Sequence, residues 1–224
     1  MDTLGFKWKR FLKKIITQGY SHTKDDSPIQ EYLGNHIWIE YPHHIPFINY
    51  SNNINIFLKN LKNGFYDIDG YPIQGQALYE YVKAWDKEDM INCDNFVYTY
   101  PERVLNYNNI SQYSIMRSRL FNNQGSNRAV AVLYDPSKDA YIEDIPCLNW
   151  LQATIRDNKL VLHCMFRSND IYGAWPSNML LLTYLGLKLA NDCKVNFHSI
   201  DYHSTSAHIY KTDMEAAEKV IRGI

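Results

Sequence analysis

The sequence predicts an α+β fold, with a mixed β-sheet packed by helices in one domain over residues 1–224. Three observations predict it. Strand-like and helix-like stretches mix along the chain without strict β-α alternation. Two apolar strands, 148–156 and 160–167, are joined at Asp157-Asn158, a turn pair suited to a hairpin. The stretch 176–191 is apolar nearly all round, which places a helix at the centre of the core. With 224 residues, 46% hydrophobic content and 18 Tyr, the chain can build one full-sized core, and no repeat or linker divides it.

Each element has its own signal. Residues 6–16 are basic and amphipathic, with Trp8, Phe11, Leu12, Ile15 and Ile16 on one helical face. A membrane-surface or transit segment is one reading. A first helix packed on the domain is the other, favoured because the segment is short and leads straight into folded-looking sequence. A polar loop is expected at 21–28, then a strand at 32–41 rich in Ile, Trp and Tyr. Residues 50–76 hold turn signals at Asn63-Gly64 and Asp69-Gly70 and a short helix at 56–61. Helices are expected at 77–85 and 109–120, a loop at 122–127 and a small strand at 128–134. After the buried helix come a strand at 195–204 and a final helix, opened by a capping box in Thr212-Asp-Met-Glu215.

Composition limits the function classes. The formal net charge is -1, so no basic excess points to a nucleic-acid polymer. No run of 18 apolar residues exists, so no transmembrane helix is expected. Cys93, Cys147, Cys164 and Cys193 form no CxxC pair and no signal peptide precedes them, which reads as a reduced, cytoplasmic protein. His198, His203 and His208 are spaced by five. Successive members would face opposite sides of a strand, which argues against a zinc site built from these three.

Four segments carry residues suited to chemistry. Pro146-Cys147 lies where a loop ends and a strand begins, an accessible edge. A buried structural Cys is the commoner case, and reactivity needs a lowered pKa, for which Arg128 and Arg167 are the candidate cations. Arg167-Ser-Asn-Asp170 closes a strand, and adjacent Arg and Ser side chains suit a phosphate, a surface salt bridge being the other reading. Asn178 stands at the mouth of the buried helix and presents both a donor and an acceptor. His208 and Tyr210 alternate on one strand, so both point to one side.

Together these segments resemble the thymidylate synthase superfamily, over about residues 98–221. The resemblance is clearest in Pro-Cys-Leu at 146–148, in Arg-Ser-Asn-Asp with Pro176 and Asn178 beyond it, and in His208-Ile-Tyr210. Residues 98–103, Gln112 and the Arg128-Ala-Val-Ala-Val run look like the short archaeal-type branch. The resemblance implies a dimer through the sheet face, in which Arg128 reaches the phosphate bound by the other subunit. It implies Cys147 as nucleophile, Arg167 and Ser168 as phosphate ligands, and Asp170 as a contact to folate and ordered water. Asn178 would read N3 and O4 of uracil, and His208 with Tyr210 would hold the deoxyribose 3'-hydroxyl. The family also needs a glutamate near O4. Glu80 is the candidate and Glu88 the next, an exposed helix glutamate being the other reading of either.

The activity implied by this resemblance is one-carbon transfer to C5 of a pyrimidine nucleoside monophosphate. Thiolate addition to C6 makes C5 nucleophilic toward 5,10-methylenetetrahydrofolate or a modified pterin, with no metal implied. Hydride delivered to the exocyclic methylene gives thymidylate from dUMP, whereas water gives a hydroxymethyl nucleotide, from deoxyuridylate or cytidylate. A non-catalytic nucleotide-binding relative is the third reading. Two departures keep the substrate open. The family's paired arginines read Asn127-Arg128 here, and its N-terminal arginine loop is replaced by Lys24 with Asp25 and Asp26.

Overall fold

The computed structural model describes residues 3–43, 53–64, 71, 73–83 and 98–223. Its elements in chain order are α1 (Leu4–Gln18), β1 (Tyr20–Lys24), β2 (Ser27–Glu40), α2 (Ile54–Lys62), α3 (Gly75–Lys83), α4 (Tyr100–Leu105) and α5 (Gln112–Asn122). Beyond these lie β3 (Val130–Val132), β4 (Leu148–Arg156), β5 (Lys159–Asp170), α6 (Trp175–Cys193), β6 (Asn196–Tyr210) and α7 (Met214–Arg222). The six strands form one sheet in the order β1-β2-β6-β5-β4-β3. Only β5 and β6 run parallel, and α6 is the crossover that this parallel pairing requires. The α+β class and the mixed sheet are as expected.

One face of the sheet carries the core. α6 is buried on almost every side and packs on β5 and β6, with α1 beside it. Close approach explains Gly186: a Cβ there would lie 2.2 Å from the Phe197 ring, so glycine lets α6 settle onto β6. α1 buries Leu4, Trp8, Phe11, Leu12 and Ile15, and the Trp8 indole donates to the Ile171 carbonyl at 2.6 Å. The N-terminal segment is therefore a packed helix. Among the described residues no helix is long and apolar enough to cross a membrane.

The structure corrects several sequence-based expectations. The polar stretch 21–28 is no loop: β1 and β2 form a hairpin whose two turn residues, Asp25 and Asp26, have φ of 48° and 61°. Asp tolerates this left-handed region, and β1 is exposed over four of its five residues, so no apolar alternation marks it. β5 and β6 run past 167 and 204 to Asp170 and Tyr210, pairing Ser168 with Ser206 and Asp170 with His208. The Thr212 capping box does not form, because α7 grows out of a 3-10 turn at Lys211–Asp213 without a side-chain cap. A capping box does form at α4, where Thr99 and Glu102 cap each other's backbone N–H groups. The Asp157-Asn158 turn holds, with both residues at positive φ. The Asp69-Gly70 turn, Trp85, Glu88 and Cys93 lie outside the described residues.

The opposite face of the sheet has a different character. Strand register sets two rows across it: His36, His203, Met165, Trp150 and Val132, and beside them Trp38, Asp201, His163, Gln152 and Val130. Trp38, Met165 and Val132 are 40%, 38% and 50% exposed, so among the described residues nothing covers this face of mixed apolar and titratable side chains.

Candidate active site

The polar ends of β5 and β6 meet the loop before β4 at one place. Cys147 is half-buried there, directly before β4, and its carbonyl accepts from the Arg167 backbone N–H at 2.8 Å. The Arg167 guanidinium donates to the carbonyls of Ile145 (2.7 Å) and Pro146 (3.2 Å). It thereby clamps the loop that presents the thiol. A guanidinium has five N–H donors, so this clamp leaves others for an anion.

The Cys147 thiol is pushed up by burial, which outweighs the pull of Arg167 and Lys24 and a hydrogen bond with Tyr98, while Asp144 pushes it up further. This corrects the expectation that a nearby cation lowers it. Arg167 does act in that direction, but desolvation wins. Without substrate the thiol holds its proton at neutral pH.

Next to Arg167, Ser168 is buried, and its Oγ lies 3.3 Å from Nδ1 of His208. The other ring nitrogen, Nε2, lies 3.3 Å from Lys24 Nζ. Burial, then Lys24 and Arg167, lower His208 from 6.5 to about 4. The ring is therefore neutral at pH 7. An ammonium only donates, so Nε2 accepts from Lys24 and Nδ1 carries the proton that Ser168 Oγ accepts. The Tyr210 ring stands edge-on to His208 with centroids 5.2 Å apart, and Lys24 lies 5.8 Å from the Tyr210 centroid.

Burial of a neutral His208 makes stability depend on pH. The folded and unfolded states differ in protons bound at His208 only below its ordinary value, so the unfolded state gains on acidification. The contribution is fully present above pH 6.5 and is lost as pH falls toward about 4. At 1.36 kcal/mol per unit, the loss approaches about 3 kcal/mol. Urea unfolding of His208→Asn should therefore show a shallower fall in stability from pH 7 to pH 4.5 than the wild type. Equal slopes would contradict the burial of a neutral imidazole.

Asp170 ends β5, and its Oδ1 accepts from the N–H groups of Tyr172 and Gly173, both at 3.0 Å. Burial raises this carboxyl in spite of those two bonds, and Asp213 adds to the rise. Asn178 is buried in the first turn of α6. Its Oδ1 accepts from the Tyr81 hydroxyl at 3.1 Å, and its Nδ2 faces Asn169 Oδ1 at 3.4 Å. Asn169 in turn donates to the Tyr202 hydroxyl at 3.2 Å. A chain of polar groups thus fixes the Asn178 amide, with one lone pair and one N–H in reserve.

The structure brings together Cys147, Arg167, Ser168, Asp170, Asn178, His208 and Tyr210. It does not bring in Glu80 or Arg128. Glu80 is exposed on α3 and accepts from Gln76 at 2.5 Å, whereas its neighbour Tyr81 reaches Asn178. Arg128 is exposed beside the far end of β4, where Ala153 N–H bonds the Ala129 carbonyl. Five residues of strand at about 3.3 Å each separate that point from the Leu148 end.

Lys24, Asn169 and Tyr81 join the site without a sequence signal that singled them out. A hairpin that reads as a loop hides Lys24. Asn169 stands inside the Arg167–Asp170 motif as a buried polar residue. Tyr81 falls three residues after buried Leu78 on one helical face, a spacing that could have found it.

The family model described as thymidylate synthase matches residues 7–223. A protein of Methanothermobacter marburgensis named "Putative thymidylate synthase" is 29% identical over 231 residues, covering 99% of this chain and 96% of the relative. Its namesake from Methanothermobacter thermautotrophicus is 36% identical over 154 residues, 69% of this chain and 68% of the relative. A third, from Methanococcoides burtonii, is 30% identical over 224 residues, 99% of this chain and 93% of the relative. The chain belongs to the thymidylate synthase family.

Proposed function

We propose that the protein transfers a one-carbon unit to C5 of a pyrimidine nucleoside monophosphate, converting dUMP to dTMP through a covalent Cys147–C6 adduct. The observation that carries this reading is the convergence of a thiol, two cations and an uncharged imidazole around one spot. Arg167, Lys24 and Ser168 form a phosphate set. Lys24 is the cation that compensates for the altered arginine pattern. A charged hydrogen bond of this kind is worth about 1.5–3 kcal/mol, enough to restore tenfold or more in binding. Neutral His208, with Tyr210, suits a sugar hydroxyl. Asn178 uses its spare lone pair and N–H on the uracil N3–O4 edge.

Methylenetetrahydrofolate, or a modified pterin, supplies the electrophilic carbon and, for dTMP, the hydride. Asp170, whose carboxyl burial raises, is assigned to the pterin side. Cys147 loses its proton as it adds to C6, and Arg167 holds the loop so that the sulfur faces the ring. A proton relay near O4 falls to Glu80 only if α3 shifts; Tyr81, already on Asn178, is the better placed group. The uncovered sheet face, with Trp38, Trp150, Val132 and Met165, is where a second copy would pack. Such a homodimer would carry Arg128 to the partner's phosphate, since it stands far from Cys147 in its own chain. The chain acts as one domain in this scheme, in the cytoplasm.

Product analysis tests the proposal. The protein is incubated with methylenetetrahydrofolate and, separately, dUMP, dCMP, UMP and CMP, and products are identified by mass. Thymidylate with dihydrofolate is the expected result. A hydroxymethyl nucleotide with tetrahydrofolate would assign water as the final reactant instead. Nucleotide binding without turnover of any of the four would overturn an enzymatic reading.

A further inference from the structure

The proposed chemistry leaves unused a group of side chains on the outer sheet face. His36 on β2 and His203 on β6 are directly opposed cross-strand neighbours, and their rings stack at 4.4 Å with an interplanar angle of 13°. Both Nε2 atoms converge on one carboxylate oxygen, Asp201 Oδ1, at 2.6 Å and 3.2 Å. The three donor atoms lie within 4.8 Å of one another. Ligands on a tetrahedral ion with bonds of about 2.0–2.1 Å are separated by roughly 3.3 Å, so modest side-chain rotation closes the set.

A further histidine orients the carboxylate. His163 Nδ1 bonds Asp201 Oδ2 at 2.7 Å, and its Nε2 lies 2.9 Å from Thr154 Oγ1. The threonine hydroxyl donates to Nε2, which leaves the proton on Nδ1 for the carboxylate. This is the outer-sphere support that metal-binding carboxylates carry.

We infer that His36, His203 and Asp201 form a site for one divalent transition-metal ion of the zinc type, with His163 as the residue that positions Asp201. Two imidazoles and one carboxylate are borderline donors suited to zinc, cobalt or nickel and unsuited to calcium or magnesium. All three donors come from one chain and lie on the sheet face that the proposed second copy would cover, so the ion would sit within that interface without needing a residue from the partner. The sequence pattern concealed it because the ligands come from two strands far apart in the chain. Spacing on β6 alone showed only histidines on opposite faces.

Full-length protein dialysed against EDTA is titrated with Co2+ and followed by visible absorption, with Zn2+ as competitor. One Co2+ per chain is expected, weakened at least about tenfold in each of His36→Ala, His203→Ala and Asp201→Asn. His163→Ala should weaken it by roughly 10–100-fold through loss of carboxylate orientation. Circular dichroism checks that each variant is folded. Cys147→Ser should titrate like the wild type; loss of signal there would place the ion on the thiol and overturn the inference. So would binding in a folded His36→Ala/His203→Ala variant as tight as in the wild type.

Discussion

Replacing Cys147 by serine is expected to lower turnover by at least about 10⁴-fold while leaving nucleotide affinity within a few-fold of the wild type. The hydroxyl has nearly the same shape, and the Arg167 clamp acts on backbone carbonyls that the substitution does not touch. What is lost is nucleophilicity, because a serine hydroxyl is far less acidic and a far weaker nucleophile than a thiol. Single-turnover kinetics and equilibrium dialysis against the nucleotide separate the two effects. Weakened binding with turnover retained would show that Cys147 shapes the pocket rather than attacking the ring.

Replacing Arg167 by methionine should give the second-largest effect. The guanidinium holds the Ile145 and Pro146 carbonyls, and in the proposed function it also meets the phosphate. Charged hydrogen bonds are worth about 1.5–3 kcal/mol each, so loss of two or three should lower kcat/KM by about 10³-fold or more. Arg167→Lys separates the tasks. A lysine keeps the charge but not the fork that reaches two successive carbonyls, so KM should recover more than kcat. Equal recovery of both would argue that the clamp on the Cys147 loop has no catalytic weight.

The sequence revealed the core more readily than the site, and the reason is physical. Strands 148–156 and 160–167 and the helix at 176–191 announce themselves because burial demands apolar residues at regular spacing. That pattern stops where the site starts. Ser168, Asn169 and Asp170 continue β5, and His208 and Tyr210 close β6, yet their polarity makes both strands seem to end early. Polar residues buried at strand ends break the local rule in favour of function. Lys24 shows the same effect at the opposite edge of the sheet, where an exposed hairpin of Ser, His, Thr and Asp carries no periodicity.

Glu80 and Arg128 illustrate a different limit. Both enter through the family resemblance, which fixes order along the chain and says little about what one chain can bring together. Glu80 points away on α3 while Tyr81 enters the polar chain through Asn178. Arg128 stands at the wrong end of β4 for its own Cys147.

The most direct test of covalent attack by Cys147 at C6 is the mass of the intact protein after incubation with 5-fluorodeoxyuridylate and methylenetetrahydrofolate. Fluorine at C5 cannot leave as a proton does, so an adduct that forms through C6 persists. Wild-type protein should gain the mass of nucleotide plus folate, localised to the peptide that contains Cys147, and Cys147→Ser should gain nothing. Unmodified wild-type protein under conditions where it binds both ligands, or an adduct on any other residue, would contradict the account.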